Sequence, residues 1–160
     1  MKKTASAWLA LFLLAATAGA IDAPLDLEGR AKGARKVVLA TVTDVDEAFG
    51  ENEFGDRLIF SHVTLQVDET MKGVYEGSVV VTVEGGTVGD LTLTVSDMPA
   101  MVRGERAVLF LDQTASGGHV PHGRGSGVLK IDADDRVVGT SVSLESIRAA
   151  VKAAQNERGR

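Results

Sequence analysis

Hydrophobic and polar positions alternate most clearly between Ile59 and Asp68, where Ile59, Ser61, Val63, Leu65 and Val67 interleave with Phe60, His62, Thr64, Gln66 and Asp68. A period of two over that length predicts a strand with one buried and one wetted face. Shorter segments repeat the pattern: Val79, Val81 and Val83 against Thr82 and Glu84, then Leu91, Leu93 and Val95 against Thr92 and Thr94. Val37 to Val45 is β-branched and reads as the first strand of the series. Ala107 to Leu111 is apolar at every position, which predicts a strand covered on both faces and placed centrally. Val128 to Ile131 and Arg136 to Val138 flank Asp132-Ala133-Asp134-Asp135 and read as a closing hairpin. The period then changes. Leu144, Ile147 and Val151 fall at helical spacing behind Ser143, a capping residue, so a C-terminal helix is expected over 143–156.

Turn chemistry separates these runs. Lys72-Gly73, Glu76-Gly77, Gly85-Gly86 and Gly89-Asp90 punctuate the middle of the chain, and Pro99 ends the fourth strand. Two longer polar stretches, Asp46 to Asp56 and Asp112 to Gly127, read as loops, the first acidic and mobile and the second the longest of the domain. Residues 21–35 show no sustained period and are expected to form a flexible leader ahead of a single β-rich domain over 36–158. The expected architecture is all-β and mainly antiparallel: a small OB-like barrel or sandwich of six to seven strands with one C-terminal helix.

The N-terminus changes the picture of where such a domain works. Lys2 and Lys3 precede an uncharged stretch with an apolar centre, Trp8 to Ala16, which closes on Ala18-Gly19-Ala20. That is the form of a secretory signal peptide over residues 1–20, cut after Ala20. The apolar centre is shorter than the roughly 20 residues of a membrane span, so no span is expected after cleavage. The chain is therefore expected to be exported, to a periplasm or to the outside.

Charge and composition narrow the function classes. Without the two signal lysines the chain carries 15 basic against 22 acidic residues, a net charge of −7, and lacks the clustered basic surface that tracks phosphates. No nucleic-acid partner is expected. Cysteine is absent, which excludes disulfides, thiol chemistry and Cys-based zinc sites.

Several segments resemble a known group. Val63-Thr64-Leu65-Gln66-Val67-Asp68-Glu69 running into Met71-Lys72-Gly73, then Val83 to Asp90, Val95 to Pro99 and Gly104-Glu105-Arg106 before the apolar strand, are similar to a pattern in uncharacterised secreted bacterial proteins of small OB-like β-barrel appearance. The likeness covers about a third of the chain, or about half with Gly123 to Val128. It implies export and a β fold. The motifs mark turns and a core strand, so it carries no activity across.

Candidate chemistry is sparse. His119 and His122 lie three apart in the longest loop, and His62 lies on the wetted face of the second strand. Two loop imidazoles with a third ligand would suit zinc or copper in an open site, so these three residues are the candidate metal ligands. Acidic residues from Asp44 to Asp56 fail as a calcium loop, because Phe49 stands where the turn glycine belongs and Gly55 where the bidentate Glu belongs. Ser126, between Gly125 and Gly127, precedes a strand rather than the helix that a nucleophile elbow requires. No catalytic residue and no cofactor is therefore assigned. The expected function is that of an exported, non-enzymatic binding or interaction module presenting its loops to another exported protein or a cell-surface component. The alternative is a metal-binding or metal-dependent hydrolytic protein using His62, His119 and His122.

Overall fold

A computed structural model describes residues 25–52 and 54–158. The expected signal peptide and the first four residues of the leader lie outside the described residues. The protein is mostly β-structure, with eight strands among the described residues: β1 (Lys36–Glu51), β2 (Arg57–Lys72), β3 (Ser78–Glu84), β4 (Gly86–Val88), β5 (Leu91–Leu93), β6 (Arg106–Gln113), β7 (His119–Pro121) and β8 (Val128–Ile131). Two helices, α1 (Leu27–Gly33) and α2 (Leu144–Arg158), lie before and after them.

Six strands form one sheet in the order β1-β2-β3-β7-β6-β8, and β6 also pairs with β1, so the pairing returns to its first strand. The expected antiparallel character holds for every pair in this sheet but one. β3 and β7 run parallel, matched only at Val81 and His119. β4 and β5 make a separate two-stranded hairpin. The fourth strand expected over Leu91 to Val95 is thus three residues long and outside the main sheet.

β6 explains why an all-apolar run was needed. Ala107, Leu109 and Leu111 pack with Val38, Ala40, Val42, Val63, Leu65 and Val81 in a first core against one face of the sheet. Val108 and Phe110 point the other way, into a second core with Val37, Leu39, Leu129, Ile131 and the apolar stripe of α2, Leu144, Ile147, Val151 and Ala154. Burial of aliphatic area on both faces contributes about 25 cal/mol per Å² removed from water. The expected helix is present, and the Ser146 backbone N–H donates to the Ser143 hydroxyl at 3.1 Å as the cap requires.

Two expected irregular segments are ordered differently. Residues 27–33, expected as part of the flexible leader, form α1, in which the Gly29 N–H donates to the Asp26 carboxylate at 2.8 Å. Ala31 and Ala34 are fully buried in the second core, and the Lys72 ammonium donates to the Ala31 and Ala34 carbonyls at the C-terminal end of α1. The segment is too short to show a helical period, and its order comes from this docking. Likewise, most of the loop expected over Asp46 to Asp56 continues β1. Asp46, Glu47, Ala48 and Phe49 pair with His62, Ser61, Phe60 and Ile59, which leaves only 52–56 as the turn. Cross-strand pairing outweighs the acidic composition there.

The longest loop, 112–127, is also interrupted. β7 inserts within it, and a 3₁₀ turn over Arg124–Gly127 leads into β8. The hairpin expected after β8 survives as isolated bridges, Ile131 with Val137 and Arg136 with Ser143.

Candidate functional site

Beyond the first core, the distal half of the β1–β2 hairpin faces the β4–β5 hairpin across a cleft of about 260 Å³. Ser61 marks it. On β2 it occupies an inward position of the alternating pattern and is buried, and its hydroxyl donates to the Gly85 carbonyl at 2.7 Å. Glu47, its pairing partner on β1, accepts from the Thr87 backbone N–H at 3.0 Å and lies 3.4 Å from the Ser61 hydroxyl. Gly86 permits this approach. It holds φ +134°, and a Cβ there would stand 2.7 Å from the Glu47 carboxylate and 2.8 Å from the Ser61 hydroxyl. Val83, Leu93, Met98 and Met101 supply the apolar lining. The cleft therefore offers carboxylate and hydroxyl acceptors above an apolar floor, and the Ser61 hydroxyl has the Gly85 carbonyl as its nearer acceptor and the Glu47 carboxylate as its farther one.

The wall of the cleft is fixed from outside by Arg124. Its side chain donates to Asp97 at 2.6 and 3.2 Å and to Glu84 at 2.9 Å, joining the segment after β5 to the end of β3. The residue sits at φ +60°, a conformation that costs a non-glycine residue energy and persists where the surroundings over-determine it. Hydrogen bonds from Arg124 hold the Asp97 carboxyl below its ordinary value, and the same bonds raise the guanidinium. Glu105 is also lowered: burial opposes this, but hydrogen bonds from Lys130 and the Val102 N–H outweigh it.

These shifts fix a direction for acid sensitivity. Carboxyls lowered in the folded state stabilise the protein fully above their ordinary values, 3.8 for Asp97 and 4.5 for Glu105, and that contribution is lost as pH falls through the lower folded values. The urea midpoint is expected to hold from pH 7 to about pH 5 and to drop below pH 4. In Arg124→Ala the drop is expected to be shallower; an identical acid limb in both proteins would contradict the assignment to Asp97.

The histidines are placed separately. His62 pairs with Thr82, on the solvent side of β2, and its Nδ1 lies 3.1 Å from the Thr82 hydroxyl. His119 pairs with Val81, whose side chain is in the core, so the two imidazoles belong to opposite faces of the sheet. His122 follows β7, with Nδ1 2.7 Å from the Asp112 carboxylate. Its Nε2 edge abuts α1, where a Cβ on Gly33 would come within 2.2 Å. Among the described residues no group of three metal-ligating side chains converges.

Neither protein-family models nor curated proteins match the chain. Among the described residues, no helix is long and apolar enough to cross a membrane.

The most exposed large apolar side chains stand on turns between strands or at the start of the short strand β5. Phe54, in the β1–β2 turn, is 81% exposed, and Leu91, beginning β5, is 62% exposed. At the opposite end of β2, Val74 and Tyr75 are 78% and 68% exposed in the turn before β3. The sequence pointed to the first turn through its loop composition. The second is legible as a turn from its glycines but not as a surface, for which the signal was an apolar Val-Tyr pair set between Gly73 and Gly77.

Proposed function

We propose that the chain is an exported, non-enzymatic binding module, a small OB-like barrel whose strand-connecting turns engage another exported protein or a cell-surface component. One observation carries the reading: Phe54, Val74 and Tyr75 stand in solvent on the turns at the two ends of β2, a strand knitted into the core, and Leu91 stands in solvent at the start of β5 in the β4–β5 hairpin. Large apolar and aromatic side chains are costly to leave in water and form the energetic centres of protein interfaces. The return of the pairing from β6 to β1 supports the barrel part of the reading, with the single β3–β7 match as its seam. The form of residues 1–20 supports export.

The test is capture of a partner from an exported fraction by the tagged chain, with the metal content of the same sample measured. The reading predicts a stoichiometric protein partner. Phe54→Ser with Leu91→Ser, or Val74→Ser with Tyr75→Ser, should reduce its retention at least tenfold without lowering the melting temperature. Stoichiometric zinc or copper without a partner would replace the reading with the histidine-based alternative.

A further inference from the structure

At the Val74–Tyr75 end of the sheet, the first residue of β1 carries an ammonium group into a place that water barely reaches. Lys36 is 7% exposed, and its backbone is paired opposite Leu111 in β6. Its ammonium pairs with the Glu76 carboxylate, which comes from the turn between β2 and β3 and is itself almost half exposed. Around this pair lies a cavity of about 280 Å³ lined by Arg35, Lys36, Gly73, Glu76, Asp112 and His119.

Other charges in the cavity sort unevenly. Asp112 is engaged by His122 at 2.7 Å. Arg35 and His119 make no side-chain hydrogen bond or ion pair among the described residues. The Lys36 hydrogen bond holds the Glu76 carboxyl below its ordinary value against a partial loss of solvent, and the charges of Lys36 and His119 act in the same direction. Of the two carboxylates in the lining, Asp112 is held by His122 and Glu76 by Lys36, and the chain supplies Glu76 from an exposed turn. Gly73, at φ +94°, begins the turn in a conformation that glycine adopts freely. A buried ammonium needs a carboxylate partner, but nothing in its chemistry requires that the partner be Glu76.

We infer that this cavity is a carboxylate-binding site, occupied in the free protein by Glu76 and taken over by an acidic residue of a bound peptide. Val74 and Tyr75, exposed on the same turn, provide an apolar rim for the residues flanking that acid. The inference rests on the binding-module reading for its biological partner, but the cavity is testable without one.

Calorimetric titration of the full chain uses three probes: the capped peptide acetyl-Leu-Asp-Leu-amide, its Asn counterpart, and sodium acetate. The acidic peptide is expected to bind and the Asn peptide to bind at least tenfold more weakly. Glu76→Ala, which removes the internal competitor, should tighten the acidic peptide about tenfold, and Lys36→Met should weaken it at least tenfold. Should Lys36→Met fold poorly, the double variant of exposed Arg35→Ala with half-buried His119→Gln should still weaken binding several-fold. Acetate should raise the melting temperature of Glu76→Ala but not that of the wild type. Equal binding of the Asp and Asn peptides, or no tightening in Glu76→Ala, would overturn the site. Acetate binding as tightly as the peptide would overturn the peptide as its occupant and leave a site for small free carboxylates. Loss of partner capture with peptide binding intact would overturn only the binding-module reading, and the reverse only this one.

Discussion

Phe110→Ala is expected to lower the stability of the protein by about 3–5 kcal/mol, the range for removing a fully buried aromatic side chain. Phe110 is completely buried, and it sits where β6 meets both helices: its neighbours in the second core include Val37 and Leu39 from β1, Ala31 and Ala34 around α1, and Ile147 from α2. The cavity left by an Ala would be bounded by β1 and by two helices that are separately tied to the sheet. Arg148 of α2 pairs with Glu69 at 2.7 Å, Gln155 donates to the Met71 carbonyl at 3.0 Å, and Lys72 holds the end of α1. Collapse around the lost ring is therefore restricted, and the cost should fall in the upper part of the range. Urea unfolding followed by circular dichroism checks this. A loss below about 1 kcal/mol would mean that the helices do not form a second core with β6.

The second large effect is expected at Gly127, the buried last residue of the 3₁₀ turn. A Cβ there would meet the His122 carbonyl at 2.4 Å, the His122 nitrogen at 2.8 Å and the Phe110 carbonyl at 2.9 Å. All three are backbone atoms, and the His122 N–H already donates to the Phe110 carbonyl at 2.8 Å. No flexible side chain can move aside, so Gly127→Ala must separate β6 from the segment after β7. Overpacking of this kind costs about 1–3 kcal/mol, and backbone neighbours place it toward the top. The amide of His122 should also lose protection in hydrogen exchange. Unchanged stability and unchanged protection would contradict the close approach.

How far the sequence was legible follows from where each side chain's partners come from. β2, β3, β6 and α2 carry their partners' signature in their own period, because half or all of their positions face a core. α1 carries none: seven residues with one buried alanine, Ala31, and Ala34 as C-cap say nothing until Phe110 and α2 are in place against them. The distal half of β1 misleads for the opposite reason. Asp44, Asp46, Glu47 and Glu51 suggest a solvated loop, yet each backbone group finds its partner on β2.

The candidate site was legible in part for the same reason. A buried Ser61 within an otherwise apolar face and the Gly85-Gly86 pair were visible signals of a polar contact and a close backbone approach. The pairing of Glu47 with Ser61, or of Lys36 with a glutamate 40 residues on, depends on register and has no local trace. The histidines failed to converge because β7 formed inside the expected loop and gave His119 a face opposite to that of His62.

In the proposed function the turns, held on the two-core scaffold, are the contact surface. Hydrogen exchange of the chain with and without its captured partner tests this most directly. The account predicts new protection confined to the 52–56 and 73–77 turns and the start of β5, with β6 and α2 unchanged. Protection centred on α2, or none at any of these turns, would contradict it.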